Sequence, residues 1–225
     1  VYKRQVLGIA NAGGTLGEDL IADSIAAMEA GLDVASGLHS RLKDEPRLVE
    51  TAARTGRILH DVRDPQPGIP VGNGRPRGGH RLLTVGTDCS VGKMYTTLCL
   101  ARAMERRGIA ADFRATGQTG ILIAGSGVPL DAVVADFISG AIEQIAPARE
   151  DGGWDLIEGQ GSLFHPSFAG VSTGLLHGAQ PEVLVMCHDP ARTSMRGLPG
   201  RALPGLAECI AANLAVARLT SPDVR

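Results

Sequence analysis

Aromatic side chains are scarce in this 225-residue chain and make up only 3% of it. Proteins that bind single-stranded nucleic acid stack its bases on aromatic rings, and this sequence offers few of them. The chain has 22 basic and 24 acidic residues, so its net charge is only −2 and neither sign of charge is in clear excess. The basic surface that DNA or RNA requires is therefore missing, and we expect no nucleic-acid partner. No apolar run approaches the roughly 18 residues of a membrane helix, so we expect no membrane partner.

The cysteines are few and scattered, at positions 89, 99, 187 and 209. None form a CxxC pair, which excludes the usual spacing of a zinc knuckle or a redox dithiol. Scattered cysteines in a chain of this size indicate a reducing compartment, and we expect a cytoplasmic protein. The sequence opens without methionine and without a charged and then apolar leader. We expect that it is a fragment of a longer protein, shortened at both ends.

Glycine, by contrast, is abundant, with 30 residues in a chain that is 44% hydrophobic. This combination predicts many tight turns between strands and helices rather than disorder. In residues 1–62, short apolar runs alternate with stretches of helical periodicity, which predicts a β-α-β-α-β order and a Rossmann-like N-terminal domain. The predicted strands cover residues 6–10, 33–36 and 57–60, and the predicted helices cover about 21–32 and 48–55.

A segment rich in proline and glycine, residues 63–80, has the composition of a linker between domains. The alternation of strands and helices resumes after it, so residues 81–225 are expected to form a second α/β domain with a mostly parallel sheet. The predicted strands of this domain cover residues 81–85, 109–114, 154–157 and 183–187, and the predicted helices cover 93–107, 130–145 and 203–217.

Residues 86–93 read GTDCSVGK and lie between a predicted strand and a predicted helix. Glycine-containing loops in this context bind phosphate, because backbone N–H groups and the helix N-terminus surround the anion and a lysine adds a full charge. Met94 stands where such loops carry the Ser or Thr that holds Mg²⁺, and a thioether is a poor ligand for a hard cation. We therefore expect phosphate binding without a metal. The expected binding residues are Gly86, Thr87, Asp88, Cys89, Ser90, Val91, Gly92, Lys93, Met94 and Tyr95.

These motifs resemble those of two families. GTDCSVGK and WDLIEGQG, at 154–161, resemble the dethiobiotin synthetase group of P-loop proteins. A closer resemblance covers nearly the whole chain and includes ATGQTG at 115–120 and EGQGSLFHP at 158–166. It is to a two-domain P-loop family, long of unknown function, whose characterised members are D-glutamate N-acetyltransferases of the DgcN type. This resemblance implies that acetyl-CoA donates its acetyl group to the amine of a small acidic amino acid, most simply D-glutamate, while the P-loop holds the CoA phosphates.

Acyl transfer to an amino acid requires a base that removes a proton from the amine, and two residues are candidates. Glu158 ends a predicted strand beside the P-loop, and His165 lies in the loop that follows it. In the simpler alternatives, Glu158 is a solvated charge at a strand end and His165 is an ordinary loop histidine. Cys89 is a weak candidate for an acyl-cysteine intermediate, because no histidine is adjacent to it in the sequence.

Two further groups are expected to hold the substrate. Gln118, Thr119 and Gly120 follow a predicted strand and are expected to form a polar turn that binds oxygen atoms. Arg192 and Arg196 follow the last predicted strand and are expected to hold a dicarboxylate through their guanidinium groups. The alternative for the two arginines is a basic loop that faces solvent.

Two other functions remain compatible with the sequence. The chain is an ATP-dependent ligase or kinase if Asp88 and Glu158 together hold Mg²⁺ in place of the missing hydroxyl. It is a non-catalytic nucleotide-binding protein if the loops carry no chemistry. A homodimer is compatible with each of the three functions.

Overall fold

The computed structural model describes residues 3–9, 14–65 and 67–225. The chain divides into two compact units, Val1–Pro65 and Gln66–Arg225. Both units are built from parallel strands with intervening helices, which confirms the predicted α/β class.

The first unit has a three-stranded parallel sheet, in which β1 (Arg4–Leu7), β2 (Asp33–Ser36) and β3 (Leu59–Asp61) lie side by side in that order. Its core combines strand residues such as Val34 with helix residues such as Met28 and Leu48, all of them buried. The observed order of elements is the predicted β-α-β-α-β, although part of the predicted strand at 6–10 lies outside the described residues. The elements are β1 Arg4–Leu7, α1 Glu18–Glu29, β2 Asp33–Ser36, α2 Pro46–Thr55 and β3 Leu59–Asp61, with a 3₁₀ turn at Leu42–Asp44.

The second unit has four parallel strands, β4 (His80–Gly86), β5 (Ala111–Arg114), β6 (Trp154–Ile157) and β7 (Val183–Cys187), and their order in the sheet is β5-β6-β4-β7. Strand β4 therefore lies between two neighbours, and the loop after it opens at the carboxyl edge of the sheet, where ligands of such folds bind. The elements are β4 His80–Gly86, α3 Lys93–Glu105, β5 Ala111–Arg114, α4 Gln118–Ala124, α5 Ile138–Ile145, β6 Trp154–Ile157, α6 Ala169–Ala179, β7 Val183–Cys187 and α7 Leu206–Ala217.

The predicted helix at 130–145 is wrong in its first half. The structure has 3₁₀ turns at Leu130–Ala132 and Ala135–Phe137, and only Ile138–Ile145 is α-helical. Val133 has an extended backbone, with φ −89° and ψ 134°, and separates the two turns. A β-branched residue in this conformation interrupts the helical ladder, which a count of apolar positions does not reveal.

Helix α6 is not predicted from the sequence, because its glycines suggest a loop. Two of these glycines are required by packing instead. A Cβ at Gly174 would come 2.7 Å from Ile138 Cγ2, and one at Gly178 would come 2.6 Å from Ser139 O. Helix α6 therefore lies directly against α5, and small residues permit the close approach.

The proline-rich segment is tied to the second unit over much of its length. The backbone N–H groups of Asn73 and Gly74 donate to the Glu143 carboxylate on α5, in each case at 2.9 Å. The Arg77 guanidinium donates to the backbone oxygens of Ala146 and Gly178. Within the described part of the chain, no helix is both long enough and apolar enough to cross a lipid bilayer.

Candidate functional site

The P-loop connects β4 to α3 and curls around its own lysine. Gly92 has a left-handed backbone with φ 92°, which glycine adopts at low cost, and α3 begins at the next residue. Lys93 is only 6% exposed, and its Nζ donates to the Asp88 backbone oxygen at 2.9 Å. A Cβ at Gly86 would lie 2.7 Å from Val91 Cγ2. The loop therefore holds the ammonium group against its own backbone, away from solvent.

Lys93 lacks an anionic partner close enough for an ion pair among the described residues. Burial lowers the pKa of Lys93, because the charged form has lost water; its one described hydrogen bond is to a carbonyl, and the nearby Asp88 carboxylate offsets the shift only in part. An anion bound in the loop would supply the missing counter-charge. The ammonium group is thus positioned for a phosphate.

Asp88 is fully buried and fastens the P-loop to the segment after β7. Its Oδ1 accepts from the Cys89 N–H at 2.7 Å, and its Oδ2 accepts from the Arg196 N–H at 2.7 Å and from Arg192 Nη1 at 3.0 Å. Burial alone would raise the pKa of Asp88, but these donors outweigh it and hold the pKa below its usual value. Both carboxylate oxygens are therefore already engaged as acceptors.

The two arginines lie on the P-loop rather than at a separate site. The Arg192 guanidinium donates to the backbone oxygens of Cys89 at 2.6 Å and Ser90 at 2.9 Å, in addition to its ion pair with Asp88. Arg196 Nη1 makes a hydrogen bond with Ser90 Oγ. The structure thus joins two groups of residues that the sequence analysis assigned to different ligands.

Glu158 follows β6 and is buried, with 4% of its surface exposed. Its Oε2 accepts from the backbone N–H groups of Thr116 at 2.9 Å and Gly117 at 3.1 Å, and its Oε1 accepts from Gln160 Nε2 at 3.2 Å. Burial raises the pKa of Glu158, and these donors reduce the shift. A raised pKa moves the carboxylate towards the range in which a general base works at neutral pH.

Gln118, Thr119 and Gly120 begin the short helix α4 and do not form the expected turn. The prediction of a turn is wrong because the extended backbone ends at Gly117, with φ −126° and ψ 160°, and the chain enters a helix at the next residue. The glycines of this segment serve packing. A Cβ at Gly120 would collide with Glu158 Oε2, and one at Gly117 would lie 2.5 Å from Gln160 Nε2. The segment therefore supports Glu158.

His165 is 3% exposed, and both of its ring nitrogens have partners. Nδ1 accepts from the Ser167 N–H at 3.2 Å, so the proton lies on Nε2, which donates to the Arg196 backbone oxygen at 3.0 Å. The imidazole also contacts the Phe168 ring, with ring centroids 4.6 Å apart. His165 thus links the loop after β6 to the segment that carries Arg196.

One set of potential metal ligands lies in the described part of the chain. Asp88, Cys89 and His165 each offer a ligand atom, and these atoms lie within 4.8 Å of one another. The Asp88 oxygens and the His165 nitrogens already take part in hydrogen bonds, and burial raises the pKa of the Cys89 thiol. A metal would have to displace these partners.

The remaining P-loop residues are less directly placed for a ligand. Thr87 is buried, and its Oγ1 makes a 3.1 Å hydrogen bond with His188 Nδ1. Met94 is half-buried, whereas Tyr95 is 69% exposed on α3. Thr97 makes a 2.9 Å hydrogen bond with Thr84 of β4, so its hydroxyl serves the packing of helix on strand.

The residues that hold Glu158 are not predicted from the sequence as its partners. Thr116 and Gly117 do so through backbone N–H groups, which carry no side-chain signature. Gln160 lies two residues beyond Glu158 within the quoted EGQG motif. Strands β5 and β6 are paired, so the loop with Thr116 and Gly117 and the loop with Glu158 and Gln160 lie at the same edge of the sheet. The prediction that these two strands are neighbours would have pointed to the contacts with Glu158.

Comparison with known proteins identifies the same two domains, a Rossmann-like domain followed by a P-loop domain. Residues 70–225 match the P-loop domain of DUF1611, described as a domain of unknown function, and residues 2–65 match its Rossmann-like N-terminal domain. The chain belongs to the DUF1611 family. A crystal structure of a DUF1611-family protein from Anabaena variabilis ATCC 29413 aligns with a TM-score of 0.87 and 38% sequence identity, over 96% of this chain and 64% of that protein.

Two curated relatives carry the name D-glutamate N-acetyltransferase. One is from Tritonibacter scottomollicae and the other from a Pseudoalteromonas species, and each is 53% identical to this chain over 223 residues. The alignments cover 99% of this chain and 67% of each relative, so the chain spans about two thirds of their length. Both relatives are by name acyltransferases.

Proposed function

We propose that this family member is an N-acetyltransferase, which transfers an acetyl group from acetyl-CoA to the amine of D-glutamate. The 53% identity to two proteins of that name extends over 99% of the chain and includes the whole P-loop region. The observation that carries the proposal is the buried ammonium group of Lys93, which lies in the P-loop and makes no ion pair with any residue that the structure describes.

The P-loop is proposed to hold the diphosphate of acetyl-CoA without Mg²⁺. CoA carries phosphates that are not transferred, so no charge develops on them that a metal must neutralise. Met94 supports this proposal because it offers no hard ligand. The two carboxylates that could replace the missing hydroxyl, Asp88 and Glu158, are both engaged by N–H donors.

In the proposed reaction the amine nitrogen attacks the thioester carbonyl carbon, the C–S bond breaks, and CoA leaves as a thiolate. One proton must leave the amine, and Glu158 is the proposed acceptor. Its pKa is raised by burial, and a carboxylate can accept more than the three hydrogen bonds that it makes here. His165 is the less favourable choice, since both nitrogens are engaged.

The experiment uses the full-length protein with acetyl-CoA and a panel of D- and L-amino acids. Released CoA thiol is measured, and the N-acetylated product is identified by mass spectrometry. We expect turnover with D-glutamate and no ADP when ATP replaces acetyl-CoA. Glu105→Gln, at an exposed position at the end of α3, is the control for Glu158→Gln. ATP consumption coupled to the amino acid, without thiol release, would replace the transferase with a ligase.

A further inference from the structure

We infer that the segment after β7 forms a second anion subsite beside the P-loop, in which Arg196 holds the 3′-phosphate of CoA. This inference rests on the proposed function, because it assumes acetyl-CoA as the donor. The subsite is a hollow of about 380 Å³ lined by Arg192, Ser194, Met195, Arg196, Gly197, Leu198 and Pro199.

The two arginines of this hollow have different tasks. The Arg192 guanidinium makes three hydrogen bonds to the P-loop, with the Asp88 carboxylate and the backbone oxygens of Cys89 and Ser90, and thereby fixes the segment in place. Arg196 is anchored through its backbone N–H on Asp88, while its side chain is exposed and makes its one described hydrogen bond with Ser90 Oγ. The guanidinium of Arg196 therefore keeps donors for a ligand.

The covalent structure of CoA favours the phosphate over a substrate carboxylate as the occupant. The ribose that carries the 3′-phosphate is joined through its 5′-oxygen to the diphosphate, so the two anionic groups are separated by a single sugar ring. A residue that binds the 3′-phosphate must therefore lie close to the P-loop, and the Arg196 guanidinium does, since it makes a hydrogen bond with Ser90 of that loop. The carboxylates of the amino acid lie near the thioester, at the far end of the pantetheine arm.

The charge and the walls of the hollow also suit a phosphorylated nucleoside. Asp88 and Asp189 both pair with Arg192, at 3.0 and 3.8 Å, whereas the Arg196 guanidinium makes no ion pair with a described residue and is left for a dianion. Leu198 is half-buried and Pro199 is exposed, so both present apolar surface on which an adenine ring can lie. The structure thus assigns to Arg196 the recognition of the donor rather than of the acceptor.

The test compares acetyl-CoA with acetyl-3′-dephospho-CoA in the full-length protein. Initial rates at saturating D-glutamate give kcat/KM for each donor, and calorimetry gives the affinities of CoA and 3′-dephospho-CoA without turnover. We expect the wild type to favour the 3′-phosphorylated form at least tenfold, the scale of one hydrogen bond between charged groups. Arg196→Ala should reduce this preference to nearly one. Arg218→Ala, at an exposed arginine beyond α7, should leave it unchanged.

Several results would overturn the inference. One is a wild type that binds CoA and 3′-dephospho-CoA with equal affinity. Another is an Arg196→Ala variant whose affinity for CoA and for 3′-dephospho-CoA falls by the same factor. A rise confined to the KM for D-glutamate would instead assign Arg196 to the acceptor carboxylate. If the wild type transfers no acetyl group at all, the proposed function fails, and the calorimetric comparison still decides whether the 3′-phosphate is recognised.

Discussion

Replacement of Lys93 by methionine would remove the charge from the P-loop and keep the length of the side chain. Lys93 is 6% exposed, so the methionine fills the space that the lysine stem occupies and leaves no large cavity. The lost interactions are one 2.9 Å hydrogen bond to the Asp88 backbone oxygen and the attraction for a bound phosphate. CoA binding should therefore weaken, whereas the stability of the ligand-free protein should not fall.

The expected loss of CoA binding is about 2–5 kcal/mol, the range for removal of one partner from a buried charged pair. Coulomb's law gives a similar figure, about 4 kcal/mol for unit charges 4 Å apart at an effective dielectric constant of 20. The dissociation constant should therefore rise by a factor of roughly 30 to several thousand. The ligand-free protein should keep or gain stability, because a desolvated charge costs several kcal/mol and one hydrogen bond to it returns only about 1.5–3 kcal/mol.

The dependence on pH has a definite sign. In the folded protein the pKa of Lys93 lies below its ordinary value of 10.5, so the unfolded chain holds the proton more strongly. The wild type therefore gains stability relative to Lys93→Met as the pH rises from the lowered pKa towards 10.5. Binding of an anion raises the pKa again, and CoA binding near the lowered pKa should take up a proton.

Calorimetry in buffers of different ionisation enthalpy measures both the affinity and the proton uptake, and urea unfolding measures the stability. Lys43→Met, at an exposed position in the first unit, is the matched control and should change neither. Unchanged CoA affinity in Lys93→Met would refute the role of the P-loop. A large loss of ligand-free stability would refute the account of Lys93 as a charge without a counter-ion.

Three further predictions concern the neighbouring residues. Glu158→Gln should lower kcat by roughly 10²–10⁴ in steady-state assays, while calorimetry shows little change in CoA affinity. Gly120→Ala should destabilise the protein by about 1–3 kcal/mol in urea unfolding, because its Cβ meets the Glu158 carboxylate; Gly170→Ala, with no atom within 4 Å of its Cβ, should be neutral or stabilising. Since Met94 cannot hold Mg²⁺, acetyl transfer should survive EDTA, and activity restored only by added Mg²⁺ would contradict this.

The regular elements were predictable where burial alone determines them. Strands β2, β6 and β7 have the predicted bounds, because each is a short run with apolar residues that is bounded by turn residues. Helix α6 was not predictable in this way, since its glycines serve contacts with α5 that no local pattern reveals. The P-loop was predictable because the residues that define it, 86–93, are consecutive in the sequence.

The wider site was only partly predictable, because its contacts are distant in sequence. Arg192 and Asp88 are 104 positions apart, and no spacing rule links them. The two ring nitrogens of His165 are occupied by backbone groups, which a sequence cannot show. The sequence could therefore name most of the polar groups at this edge of the sheet, but it could not say which of them hold one another and which remain for a ligand.

The positions of Lys93 and Glu158 constrain the course of acetyl-CoA over the sheet edge. A Cβ at Gly159 would lie 2.9 Å from Lys93 Cδ, so the residue after Glu158 touches the lysine stem. If the P-loop holds the diphosphate, the thioester reaches Glu158 only when the pantetheine arm folds back over the edge of the sheet. A base role therefore requires Glu158→Gln to lower kcat at constant CoA affinity. If the variant changes the affinity alone, Glu158 supports the P-loop through Thr116 and Gly117, and another residue is the base.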